Sequence, residues 1–313
     1  MILLNIGVIL SIIVLLILLI CYVCYRNIFY SPKRQPLNVE NFELPNGADY
    51  EAYRQDMSDW IKLSRKLPHE VFKIKSFDGL TLSAKFYEFE KGAPIEIMFH
   101  GYRGSGERDL SGGIERCFKL KRSAFIVDQR ASGESEGKII TFGIKERFDC
   151  LSWVNFVSNH FGDKVQIILT GISMGAATVL MVSNQGLPQN VKYILADCPY
   201  STPSSIIKNV IADMKLPVKL LFPFVKLSAK IFGGFNLEET SPLNSVENSK
   251  KPIILLHGDN DRYVPFNMSE QIYKTCSSVK KLVKIEGAGH GLAYPTNKEK
   301  YINSILEFEK EIS

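Results

Sequence analysis

The first 25 residues of this 313-residue chain carry no charged side chain, and Asn5 and Ser11 are their only strongly polar ones. A soluble N-terminal arm is thereby excluded and a membrane span indicated, since about 20 apolar residues cross a bilayer core. No Lys or Arg precedes the run, and Tyr22, Val23 and Tyr25 offer no small-residue cleavage site, so a removable signal peptide is not expected. Ile20 before Cys21 fits lipoprotein processing poorly. Residues 1–25 are therefore expected to form an uncleaved anchor. Arg26, Lys33 and Arg34 follow it, and the positive-inside rule then predicts a cytoplasmic location for the rest of the chain.

Cysteine and histidine are also scarce. Cys21 and Cys24 fall in the apolar run, and Cys117, Cys150, Cys198 and Cys276 are scattered singly, which leaves no disulfide framework and no C-x-x-C metal spacing beyond the anchor. The five histidines do not cluster like ligands, so no metal or organic cofactor is expected. The formal net charge of +5 is small and dispersed; it argues against a nucleic-acid partner and permits only a weak preference for anionic membrane surfaces. Without its anchor the chain keeps about 290 residues, enough for one large domain with its own core.

Pro32, Pro36 and Pro45 mark a linker, and Tyr53, Met57, Trp60, Ile61 and Leu63 predict a packed helix over residues 50–67. Residues 26–70 are thus expected to be linker and helix, and 71–313 the domain. Segments 71–75 and 80–87 flank Asp78-Gly79, a hairpin signal. Strands are then predicted at 95–99, 124–128, 166–170, 193–196, 253–257 and 282–286, alternating with helices at 107–120, 143–159, 173–184, 267–276 and 297–310. Such alternation implies a mostly parallel sheet covered on both faces. It stops between 200 and 246, where Pro203, Pro217 and Pro223 interrupt helix-like sequence studded with Lys208, Lys215, Lys219, Lys226 and Lys230.

Ser173 stands in Gly171-Ile172-Ser173-Met174-Gly175, between an apolar run and a helix-like segment. A strand, sharp turn and helix would hold its hydroxyl out of the sheet as a nucleophile. Asp261 follows in His257-Gly258-Asp259-Asn260-Asp261-Arg262-Tyr263-Val264-Pro265, and His290 in Gly287-Ala288-Gly289-His290-Gly291. Serine hydroxyls are weak nucleophiles at neutral pH, so a histidine must take the proton and a carboxylate must fix that histidine's tautomer. Asp259 and Asp197 compete for the acid role. His69, His100, His160 and His257 read better as structural histidines.

These motifs, in this order, resemble the α/β-hydrolases, in particular the serine-aminopeptidase-like group with its membrane-anchored bacterial members. His100-Gly101-Tyr102-Arg103-Gly104 resembles the family's oxyanion loop, and Asp128 to Gly137 its Asp-x-Arg-x-x-Gly-x-Ser-x-Gly loop. The resemblance implies the α/β-hydrolase fold with an eight-stranded sheet, a Ser173–His290–Asp261 triad, and oxyanion donors from the main-chain N–H groups of Tyr102 and Met174. It makes residues 200–246 a short helical cap, in which Leu221 and Phe224 either face an acyl substrate or cover the core. The expected activity is hydrolysis of an ester or thioester through an acyl-enzyme, with an aminopeptidase-like amidase or a non-catalytic scaffold as alternatives. The substrate is expected to be a small acyl ester or short peptide-like molecule, and the chain a monomer held to the membrane by its N-terminal helix.

Overall fold

Apolar runs and amphipathic segments alternate along the chain, and in the computed structural model, which describes residues 2–32, 44–45 and 47–313, they become strands and helices in turn. Lys33, Arg34 and Pro36, on which part of the orientation and linker expectations rests, lie outside the described residues. The order is α1 (Ile2–Ile28), a 3-10 stretch (Ala48–Tyr53), α2 (Arg54–Lys66), β1 (Glu70–Lys75), β2 (Thr81–Tyr87), β3 (Ile95–Phe99), α3 (Gly106–Lys119), β4 (Ser123–Asp128) and α4 (Glu146–Phe161). There follow β5 (Ile167–Ile172), α5 (Met174–Met181), β6 (Val191–Asp197), α6 (Pro203–Asp213), α7 (Val218–Ile231), α8 (Pro242–Val246), β7 (Ile253–Gly258), α9 (Asn267–Thr275), β8 (Lys280–Ile285), α10 (Ala293–Thr296) and α11 (Lys298–Glu311).

The eight strands form one sheet in the order β1-β2-β4-β3-β5-β6-β7-β8. The β1–β2 and β2–β4 pairs are antiparallel and the remainder parallel. Every residue of β3 is buried, as a central parallel strand with helices on both faces requires. This is the α/β-hydrolase fold that the motifs implied. After β3 the chain crosses to β4 on one side and then returns to β5 on the other. The loops leaving β3 and β5 consequently part at a topological switch point, where open α/β sheets form their crevice.

One buried charge cluster ties the layers together. Glu96, on β3, pairs with Arg116 and Arg122 and accepts from Thr170 Oγ1 at 2.8 Å. Burial alone would raise its carboxyl, but the two guanidinium groups hold it down at about 2.

The N-terminal helix runs on to Ile28, past the expected end at Tyr25, and its window Ile6–Ile28 is long and apolar enough to cross a membrane. No slack linker follows directly. Phe29 is buried against Phe142 and Phe235, its carbonyl accepts from Ile140 N, and Ser31 N donates to Lys138 O, both at 2.8 Å. Helix α2 is equally part of the domain: Trp60 and Ile61 are buried, and Trp60 Nε1 donates to Glu115 at 2.6 Å.

Candidate active site

The loop after β5 turns so sharply into α5 that Ser173 adopts φ 55° and ψ −116°. That left-handed backbone is uncommon for a side chain with a Cβ and costs on the order of 1–3 kcal/mol, which the surrounding packing must offset. The flanking glycines are required by closeness. A Cβ on Gly171 would run into the Gly175 main chain, and one on Gly175 into the Phe99 carbonyl. Ser173 N also donates to Asp197 O at 2.8 Å, which ties the turn to the end of β6.

Three side chains expected to act together are brought together. Ser173 Oγ lies 2.9 Å from His290 Nε2, and His290 Nδ1 lies 2.7 Å from Asp261 Oδ2. Since the carboxylate can only accept, Nδ1 carries the proton and Nε2 is free to accept from the serine. Burial opposes charge on Asp261, yet hydrogen bonds from His257 and His290 hold its carboxyl well below the ordinary range. Its Oδ1 accepts from Tyr263 N and Val264 N at 2.9 and 2.8 Å. A hydroxyl, imidazole and ionised carboxylate in this relay can open an acyl compound by nucleophilic attack.

The two competing acids have other partners. Asp259 Oδ1 accepts from Gly287 N at 2.7 Å, which secures the loop that leads to His290. Asp197 accepts from Tyr301 OH at 3.0 Å, and burial pushes its carboxyl up to about 6. The remaining histidines have structural contacts: His69 rests on Tyr87, and His160 lies between Phe72 and Phe156. His100 is fully buried; it accepts from Gln129 N at 3.0 Å and so donates through Nδ1 to Gly101 O at 2.8 Å. Burial lowers its pKa and keeps it neutral.

The loop after β3, expected to supply an oxyanion donor, is fixed by Asp109, which carried no sequence signal, and by Gln129 of the loop after β4. Asp109, on α3, accepts from Gly101 N at 3.0 Å, and Gln129 Nε2 donates to His100 O at 2.6 Å. Neither the Tyr102 nor the Met174 main-chain N–H meets an acceptor among the described residues. The Asp128 to Gly137 loop is scaffolding: Asp128 accepts from Gly106 N and Glu134 N, while Arg130 is paired with Asp149 and Asp78.

Two further residues stand beside the expected triad, His257, expected to be structural, and Tyr50, which carried no sequence signal. His257 Nε2 points at Asp261 Oδ2 from 3.2 Å and at Val264 O from 2.8 Å, so Asp261 sits between two imidazoles. Tyr50, in the 3-10 stretch, donates its hydroxyl to the carbonyl of His290 at 2.9 Å. One such bond is worth about 1 kcal/mol, so Tyr50→Phe should slow labelling of Ser173 by a fluorophosphonate about fivefold, measured as a second-order rate. An unchanged rate would leave Tyr50 without a part in holding the histidine.

A cavity of about 590 Å³ opens at Ser173 and His290. Its walls come from Pro45, Gly47 and Tyr50 of the N-terminal segment, Trp60 of α2, Leu110 of α3, and from Tyr102 and Tyr263. Of the two roles left open for Leu221 and Phe224, the lining favours cover of the core: Asp213 belongs to it, whereas Leu221 and Phe224 do not. Phe222, Val225 and Ala229 of α7 instead join a core cluster with Met174, Ala177 and Met181, so the inner face of the cap covers the fold. Cys198, Asp261 and His290 bring potential ligand atoms within 4.8 Å of one another, but the carboxylate and imidazole already bond to each other.

Comparison with known proteins agrees with this fold. The sequence model of the prolyl oligopeptidase family matches residues 142–313, more than half of the chain. Uncharacterized protein YqkD of Bacillus subtilis is 25% identical over 268 residues, covering 79% of this chain and 88% of its own. Uncharacterized protein YfhR of Escherichia coli O157:H7 is 25% identical over 253 residues, with 76% and 80% covered. Among solved structures, the Pyrococcus furiosus esterase Pf2001 superposes with a TM-score of 0.64 at 22% identity, over 91% of this chain and 98% of its own. At that identity the likeness speaks to the fold.

Proposed function

The chain belongs to the prolyl oligopeptidase family of α/β-hydrolases, and from its site we propose a membrane-anchored serine hydrolase that cleaves a small acyl ester or thioester through an acyl-enzyme. The observation that carries the reading is the relay from Ser173 through His290 to Asp261. On attack, His290 takes the Ser173 proton while a bond forms between Oγ and the acyl carbon. The oxyanion that develops is met by the Tyr102 and Met174 N–H groups. Collapse expels the alcohol or thiol, which receives the proton from His290, and water then repeats the sequence to release the acid.

A fluorophosphonate probe and a substrate panel test this reading together. Labelling of Ser173 and a higher kcat/KM on acyl esters than on aminoacyl amides are expected. Labelling with the reverse preference would make the protein an amidase. Absence of both labelling and turnover would make it a scaffold.

Helix α1 is read as a single span, with the hydrolase domain on the cytoplasmic side because Arg26, Lys33 and Arg34 follow the apolar run. A cysteine replacing exposed Glu307 on α11 should resist a membrane-impermeant maleimide in intact cells and react after lysis. Reaction in intact cells would put the domain outside.

A further inference from the structure

The cap presents apolar side chains outward where a cover for the core would present polar ones. Met214, Leu216, Leu220, Leu227 and Ile231 are exposed, Met214 and Leu220 by more than 60%. They are not scattered. On α7, Leu220, Leu227 and Ile231 recur at i, i+7 and i+11 on the side away from buried Phe222, Val225 and Ala229, and Lys219, Lys226 and Lys230 follow the same spacing beside them. Residues 203–231 hold five lysines and one acidic residue, Asp213. A ridge of large apolar groups flanked by lysines is the surface of an interfacial helix.

Its position selects the occupant. Phe232, at the end of α7, meets the rings of Tyr22 and Tyr25 on α1 at 5.5 and 5.8 Å. Tyr22 precedes Arg26 by one turn, about 6 Å toward the apolar side of the helix. The bonds of Phe29 and Ser31 to Ile140 and Lys138 tie the domain to the end of α1. If α1 spans a bilayer, α7 is held at the headgroup depth, where tyrosines and cationic side chains concentrate.

We propose that the α6–α7 turn and the outer face of α7 form a bilayer-docking surface, with Leu220, Leu227 and Ile231 entering the headgroup boundary and Lys219 and Lys230 meeting anionic lipid, while Lys226 is held by Glu238. The proposal rests on the reading of α1 as a span and is independent of the hydrolytic chemistry. It gives the cap a role that its absence from most of the cavity wall leaves open. It also sets one wall of the cavity at the foot of the anchor, since Tyr102, which lines the cavity, donates its hydroxyl to Ile28 O at 2.6 Å.

Full-length protein in nanodiscs, bearing an environment-sensitive fluorophore on Leu227→Cys, Leu15→Cys or Glu307→Cys, tests the docking directly. The native cysteines are buried or half-buried, so labelling can be directed to the introduced ones. Spin-labelled lipid should quench the Leu15 and Leu227 probes about twofold or more and leave the Glu307 probe unchanged. Phosphatidylglycerol discs should quench Leu227 more than phosphatidylcholine discs, a difference that Lys219→Glu/Lys230→Glu should abolish. Quenching at Leu15 without quenching at Leu227 overturns the docking surface and leaves the span standing. No quenching at Leu15 removes the span and the proposal together, and equal quenching in the two lipids overturns the lysine–anionic lipid contact.

Discussion

Ser173→Ala should leave a folded protein whose ester hydrolysis is lower by three or more orders of magnitude and which no fluorophosphonate labels. The substitution removes one oxygen from a turn whose backbone is fixed by Gly171, Gly175 and the bond to Asp197 O, so the fold has little to lose. What remains for catalysis is the oxyanion donors and substrate binding, which alone sustain roughly 10³–10⁴-fold acceleration over water in triad enzymes. Initial rates with an active-site titration, compared at equal thermal stability, provide the check. Retained turnover would refute the acyl-enzyme and require another nucleophile.

Asp261→Asn should cost on the order of ten-thousandfold in kcat, because an amide at that position lets His290 present the wrong tautomer to Ser173. Asp259→Asn, which keeps an oxygen able to accept from Gly287 N, should cost less than about threefold. The pair of variants decides the acid on rates alone, and the reverse ranking would transfer the role to Asp259. His257 gives the experiment a second use. It shares Asp261 Oδ2 with His290, so its own hydrogen bond from Ser269 Oγ, at 2.7 Å, helps keep the carboxylate aimed.

Much of the fold was legible because it is written in local sequence. The β1–β2 hairpin forms around Asp78-Gly79, and the predicted strands are present with ends displaced by one or two residues, as at β5, which runs on to Ile172. Strand ends shift because pairing with neighbours, rather than the apolar run itself, decides the last hydrogen bond. The helix after Ser173 is shorter than expected, ending at Met181, since residues past it turn toward Asn190 and β6. The choice of Asp261 came from the resemblance to the family's motif, while what occupies Asp197 instead is a hydrogen bond from Tyr301, 104 residues away.

The sequence by itself determined the apolar N-terminal run, the alternating architecture and the order of serine, acid and histidine, because periodicity and turn chemistry act between near neighbours. Only the tertiary structure decided what meets across long separations. Tyr50 reaches His290 over 240 residues, Asp109 and Gln129 fix the oxyanion loop from two different elements, and the cavity runs toward α2 and α3 instead of into the cap. The cap illustrates the reason best. Its apolar and basic residues could equally line a substrate pocket, cover a core or face a bilayer. What separates these roles is which face of α7 is already occupied, and that depends on packing against α1 and the core, which local pattern does not encode.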